Sequence, residues 1–256
     1  MNRRVAITLA LSALASATLL LVFHGSSHSA PAQAVSAPAA TNTASCNPVV
    51  FPSPGAQDAA AATALSTMKS LAVQSNGYLG FQSAQEVSQA KLEAPASVYF
   101  VGLNAIEQFH PLDDPRGLLR GGAEVMYPVS ANGMVRSQFR MRPDSCGKFA
   151  PTSFGAYPAV AFTATRNGVM KAKGLSADEM FMLEIPALHQ TFVAYSWQSD
   201  LVLVPIENDS TAGLTAGAQI AARDVFVKLR PEALQALQNN GAPGGGGSTP
   251  APGSKN

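Results

Sequence analysis

His110, Asp113 and Asp114 stand close together in the stretch HPLDDPRG, a spacing that lets an imidazole act as general base while a carboxylate orients it. That chemistry would make the chain a small exported hydrolase. The same residues also read as a Pro-rich loop in which the Asp side chains serve turn geometry. A second constellation is Arg136, Arg140 and Arg142, which alternate along one segment near Tyr127. Alternating guanidinium groups beside an aromatic ring clamp carboxylates or phosphates. On that reading Tyr127, Arg136, Arg140 and Arg142 form a ligand-binding face for an envelope protein or an anionic small ligand. The plainer reading is the polar outer side of a half-solvated sheet.

The rest of the inventory is thin. His189 precedes an apolar segment and reads as a packed or rim histidine. There is no H-E-x-x-H, no H-x-H and no four-cysteine set, so neither metal nor cofactor is expected. No G-x-S-x-G nucleophile elbow and no phosphate-cradling glycine loop occurs, and Gly121-Gly122 reads as part of a loop. Cys46 and Cys146 are the only cysteines; an even count in an exported chain predicts a disulfide between them. Charged residues make up 13% of the chain and the formal net charge is +1, which argues against nucleic acid as a partner. A non-enzymatic binding or interaction module is therefore the expected function, with the His110 hydrolase as its alternative.

Arg3 and Arg4 precede an apolar run over residues 5–23, the form of a secretory leader long enough to cross a bilayer. The best cleavage site lies well beyond the run. An uncleaved anchor is thus favoured over a removed signal peptide, and the location is periplasmic or extracytoplasmic, at the inner membrane. Residues 1–24 form this leader and 25–54 an Ala/Pro/Ser-rich spacer. A globular domain covers 55–240, and 241–256 is a Gly/Pro-rich tail.

Within the domain, apolar spacing predicts a helix over 57–74, and Ser83 with Glu86 makes a capping box for a short second one. A strand follows over 97–103, then a single helical turn that Asn104 and Glu107 cap. Asn132-Gly133 between two alternating segments is the strongest hairpin signal. A two-residue turn there sets Val129 opposite Arg136, Tyr127 opposite Gln138 and Val125 opposite Arg140, leaving Met126, Pro128, Val135, Phe139 and Met141 on the buried face. Residues 159–165 read as a strand ahead of a second Asn-Gly, and 177–183 as a short helix with Ser176 and Glu179 as its box. The segment 190–206 reads as an interior hairpin with a connection longer than two residues. A helix over 218–229 ends at Arg230-Pro231, and a closing helix starts at Pro231. Short helices and mostly antiparallel strands in mixed order indicate an α+β fold.

Overall fold

The computed structural model describes residues 54–74 and 78–241. The apolar run over 5–23, the spacer up to 53, Cys46 and the tail from 242 lie outside the described residues. Among the described residues, no helix is long and apolar enough to cross a membrane.

The fold is α+β, with nine strands joined in one sheet. Helix α1 (Pro54–Gln74) and the short α2 (Ala84–Ser88) come first, then β1 (Lys91–Leu92), β2 (Ala96–Phe100) and α3 (Leu103–Gln108). The first long hairpin is β3 (Arg120–Ala131) with β4 (Met134–Pro143), extended by β5 (Phe149–Gly155) and followed by α4 (Ala159–Lys173). The second is β7 (Gln190–Trp197) with β8 (Asp200–Pro205), preceded by β6 (Met180–Ile185) and followed by β9 (Ile220–Ala221) and α5 (Ala222–Gly241). In space the strands run β5-β4-β3-β2-β6-β7-β8-β9, with β1 on β3. All pairings are antiparallel except β2 with β6, which joins the two halves in parallel.

Both sheet faces are covered. On one face Ala61, Ala64, Met68 and Ala72 of α1 pack on Tyr127, Val129 and Phe139. Farther along it, Val225, Phe226 and Leu229 of α5 and Ile106 of α3 pack on Leu183, Phe192 and Leu203. On the opposite face Phe162 and Val169 of α4 pack on Val98, Met126, Met182 and Val193. This two-sided cover explains why the interior strands carry apolar residues at consecutive positions, as in 201–204.

The hairpin at Asn132-Gly133 forms as expected, with φ of 52° and 75° at the two turn residues. Its register differs from the simple one. A bulge between Val129 and Ser130 sets Val129 opposite Ser137, Tyr127 opposite Phe139 and Val125 opposite Met141. One extra residue moves the remaining side chains to the other side of the sheet. Tyr127, Phe139 and Met141 therefore share the face under α1, while Met126, Gln138 and Arg140 share the face under α4.

Four other expectations are corrected. Residues 159–165 belong to α4, because Ala159, Phe162, Thr163, Arg166 and Val169 fall on one helical face and are buried. Gly174, at φ 70°, ends that helix by donating its N–H to the Met170 carbonyl. Glu179 does accept from the Ser176 backbone N–H at 2.7 Å, but the box closes a single 3-10 turn. Met180 onward then pairs with both β2 and β7, so sheet contacts outweigh the local helical signal. The β7–β8 connection is a tight two-residue one, Trp197 facing Asp200, with Gln198 taking φ 54° in place of a glycine. Finally, α5 runs straight through Pro231. Pro231 and Val227, four residues earlier, are both solvent-exposed. The unmade backbone bond thus faces water, while the apolar stripe Ala222, Val225, Phe226, Leu229 and Ala233 stays continuous.

Candidate functional site

A cleft of about 690 Å³ with a mainly apolar lining opens on the sheet. Gln57 of α1 borders it, as do Ser97 of β2, Val125 of β3 and Phe149 of β5. Its floor is made by an irregularity in β3. Val98 faces Glu124 but Tyr99 faces Gly121, so Gly122 and Ala123 are looped out of the ladder. Gly122 has φ 85°, and a Cβ there would lie 2.8 Å from the Tyr99 ring. Only glycine lets the backbone pass so close to that ring.

Two carboxylates border the cleft, and both are engaged locally. Asp144 Oδ1 accepts the backbone N–H groups of Cys146 at 2.8 Å and Lys148 at 2.9 Å, shaping the β4–β5 turn. The Ser176 hydroxyl and its own backbone N–H hold the Asp178 carboxyl below the usual range. Gln57 donates from Nε2 to the Tyr127 hydroxyl at 2.8 Å, which ties the start of α1 to the sheet at the cleft's edge. The cleft is therefore a mixed surface of apolar side chains, glycine backbone and turn N–H groups.

The four residues expected to form a ligand face do not lie together. Tyr127 is 3% exposed and stacks on Phe139 under α1 with ring centroids 5.3 Å apart. Arg140 lies on the other face and reaches across β3 and β2. It pairs with Glu184 of β6 through both Nη atoms, one contact at 2.9 Å, and with Glu124 at 3.3 Å. Burial works against the Arg140 charge, but Glu184 and Glu124 more than offset it and hold the guanidinium above its ordinary range. Arg142 shares Glu124 at 2.5 Å and is the most exposed of the three, at 58% of its side chain. Arg136 is the bulged residue and binds Glu86 of α2 at 2.7 Å. The Gln82 backbone N–H holds the Glu86 carboxyl below the carboxylate range; burial opposes this and Arg136 adds to it. A depressed carboxylate stabilises the fold above its unfolded pKa, and that contribution fades as pH falls through the folded value. Each of these arginines thus has a carboxylate partner within the domain.

The His110 loop is built around backbone donors. The His110 N–H donates to Asp113 Oδ2 at 3.2 Å, and His110 Nδ1 accepts the Leu112 N–H at 3.3 Å. Asp114 caps the following 3-10 turn by accepting from the Arg116 N–H at 3.0 Å. Both carboxylates accept from main chain, Asp114 also pairs with the Arg116 guanidinium at 3.4 Å, and neither is hydrogen-bonded to the imidazole. His110→Ala is expected to leave thermal unfolding nearly unchanged, within about 0.5 kcal/mol as for exposed sites generally. An exported hydrolytic activity lost on that substitution with the fold intact would return catalysis to this loop. His189 sits at φ 54° at the end of the turn before β7. Among the described residues, no group of three or more His, Cys, Asp and Glu side chains is placed to hold a metal ion. The expected Cys46–Cys146 bond has one end outside the described residues; Cys146 itself is exposed in the β4–β5 turn that borders the cleft.

Comparison with family models, with curated proteins and with solved structures finds no match for this chain.

The cleft was not legible as a site beforehand. Gly121-Gly122 was the available signal, since paired glycines at the start of an otherwise β-rich segment mark a bulge or a close approach. The residues facing them, Ser97 and Phe149, carry no chemical signature at all.

Proposed function

We propose that this chain is an exported, non-enzymatic binding module, held at the membrane by residues 5–23 and presenting its domain beyond the spacer. The observation that carries the reading is the cleft beside the Gly122-Ala123 bulge. It combines about 690 Å³ with a lining whose carboxylates are already committed to turns. The low share of charged residues, 13%, fits a partner recognised by shape and apolar contact more than by bulk charge. A segment of an envelope protein meets those terms, its main chain running beside the Gly122-Ala123 bulge.

The reading is tested by placing a photoreactive side chain at Ala123, which is exposed at the cleft, in the full-length chain in its membrane. A discrete cross-linked product is expected at position 123 and not at Lys228, on α5. Ser97→Trp, which fills the cleft, should abolish that product without lowering the melting temperature appreciably. Identical products at positions 123 and 228, or a product indifferent to Ser97→Trp, would remove the cleft as the binding site.

A further inference from the structure

A second pocket lies on the opposite sheet face, against α4, and is independent of the cleft reading. It measures about 230 Å³ and is bordered by Thr163, Arg166 and Asn167 of α4, Glu93 ahead of β2, Gly133 of the β3–β4 turn and Ala177. Arg166 is 2% exposed, yet its guanidinium has one protein acceptor, the Pro95 carbonyl at 3.2 Å from Nη1. Among the described residues its Nε is buried without a hydrogen-bond partner, and so is the Thr163 hydroxyl, one turn earlier on the same helical face. The Phe162 ring lies under the guanidinium at 5.5 Å, which fixes the side chain's direction without neutralising it. Burial pushes the Arg166 pKa below its ordinary value, and the Glu93 charge works the other way.

Glu93 is the nearest match in charge but not a direct partner. Its Oε1 accepts from the Ser130 hydroxyl, and it forms no ion pair with Arg166. A buried cation and a carboxylate thus border one cavity with a gap between them. Leaving a guanidinium buried and unpaired is costly, and proteins resolve that by pairing it. A simple anion would satisfy Arg166 but face the Glu93 carboxylate, and a simple amine would do the reverse. A small molecule carrying both charges matches both ends.

We infer that this pocket is a binding site for a free α-amino acid with a small side chain, its carboxylate on the Arg166 guanidinium and its ammonium on Glu93. The size agrees. Pockets for drug-sized ligands run roughly 300–1,000 Å³, and this one is smaller. Asn167 and the Gly133 backbone add donors and acceptors at the rim, while Val135 and Met170 leave a short apolar wall for a methyl group or less.

The test is calorimetry and NMR titration of the full chain in detergent with four probes: glycine, alanine, acetate and methylamine. Glycine and alanine are expected to bind with Kd of about 1 mM or tighter, and acetate and methylamine at least about tenfold more weakly, since each forgoes one charge-assisted contact. Arg166→Met risks unfolding, so the decisive variant is Glu93→Gln, at a half-buried position. It should weaken glycine about tenfold and bring acetate level with it, because the repelling carboxylate is gone. No saturable signal with glycine or alanine in the unaltered chain would overturn the assignment and leave the gap to bridging water. Equal binding of acetate and glycine to the unaltered chain, or unchanged glycine affinity in Glu93→Gln, would overturn it as well.

Discussion

Arg140→Met is expected to destabilise the domain by about 3–5 kcal/mol, the range for removing one partner of a buried ion pair. The Arg140 side chain is 15% exposed and sits between those of Glu184 at 12% and Glu124 at 6%. Its removal takes a charge partner from both carboxylates. Arg142 still neutralises Glu124 from the more exposed side, so Glu184 bears most of the penalty. Equilibrium denaturation in urea measures the loss. Arg140→Met combined with Glu184→Leu should recover a large part of it, because replacing a buried pair with apolar groups of similar volume is often neutral. A single variant within about 0.5 kcal/mol of the parent, the usual range for surface changes, would show that the arginine is not buried between its partners as described.

Gly80→Ala is the second large loss expected. Gly80 has φ 98°, and a Cβ on it would lie 2.3 Å from the Arg136 carbonyl oxygen. That oxygen belongs to the bulged residue of β4, which Glu86 holds by its side chain, while Ser137 next to it donates its hydroxyl to the Leu79 carbonyl at 2.6 Å. Neither backbone can move aside cheaply. Left-handed strain of about 1–3 kcal/mol adds to overpacking of about 1–3 kcal/mol. Gly133→Ala isolates the first contribution, since Gly133 has φ 75° with open space around its Cβ position. Its midpoint in urea should fall by clearly less than that of Gly80→Ala. Equal shifts for the two would show that the close approach at Gly80 does not govern stability.

Segments with a strong local code were read directly from the residues. Ala61, Ala64, Leu65 and Met68 at helical spacing mark α1, Ser83 and Glu86 place the start of α2, and Asn132-Gly133 turns the first hairpin. Each of these is decided by neighbours within about four positions, where a propensity or a cap acts without help from the rest of the chain. The α+β class followed from the order of such segments, and so did the location of the second hairpin.

What the sequence could not decide was settled by contacts between residues far apart in the chain. Residues 159–165 alternate weakly enough to pass for a strand, and only the apolar surface of Val98, Met126 and Met182 selects the helix that buries Phe162. Pro231 breaks a helix locally, yet the stripe on α5 packs against β6, β7 and β8 with enough continuity to carry it through. One bulged residue, Arg136, separates Tyr127 from the arginines, and it is held by Glu86 and packed against Gly80. The sequence by itself determined element types where the code is local, the leader-like run at 5–23, and the absence of familiar catalytic motifs. The tertiary structure decided which face each strand residue occupies, which carboxylates the sheet arginines meet, and where the sheet opens into a cleft. The physical reason is that a one-residue change in register costs little locally but inverts every side chain beyond it, so only the packing of both faces at once can choose.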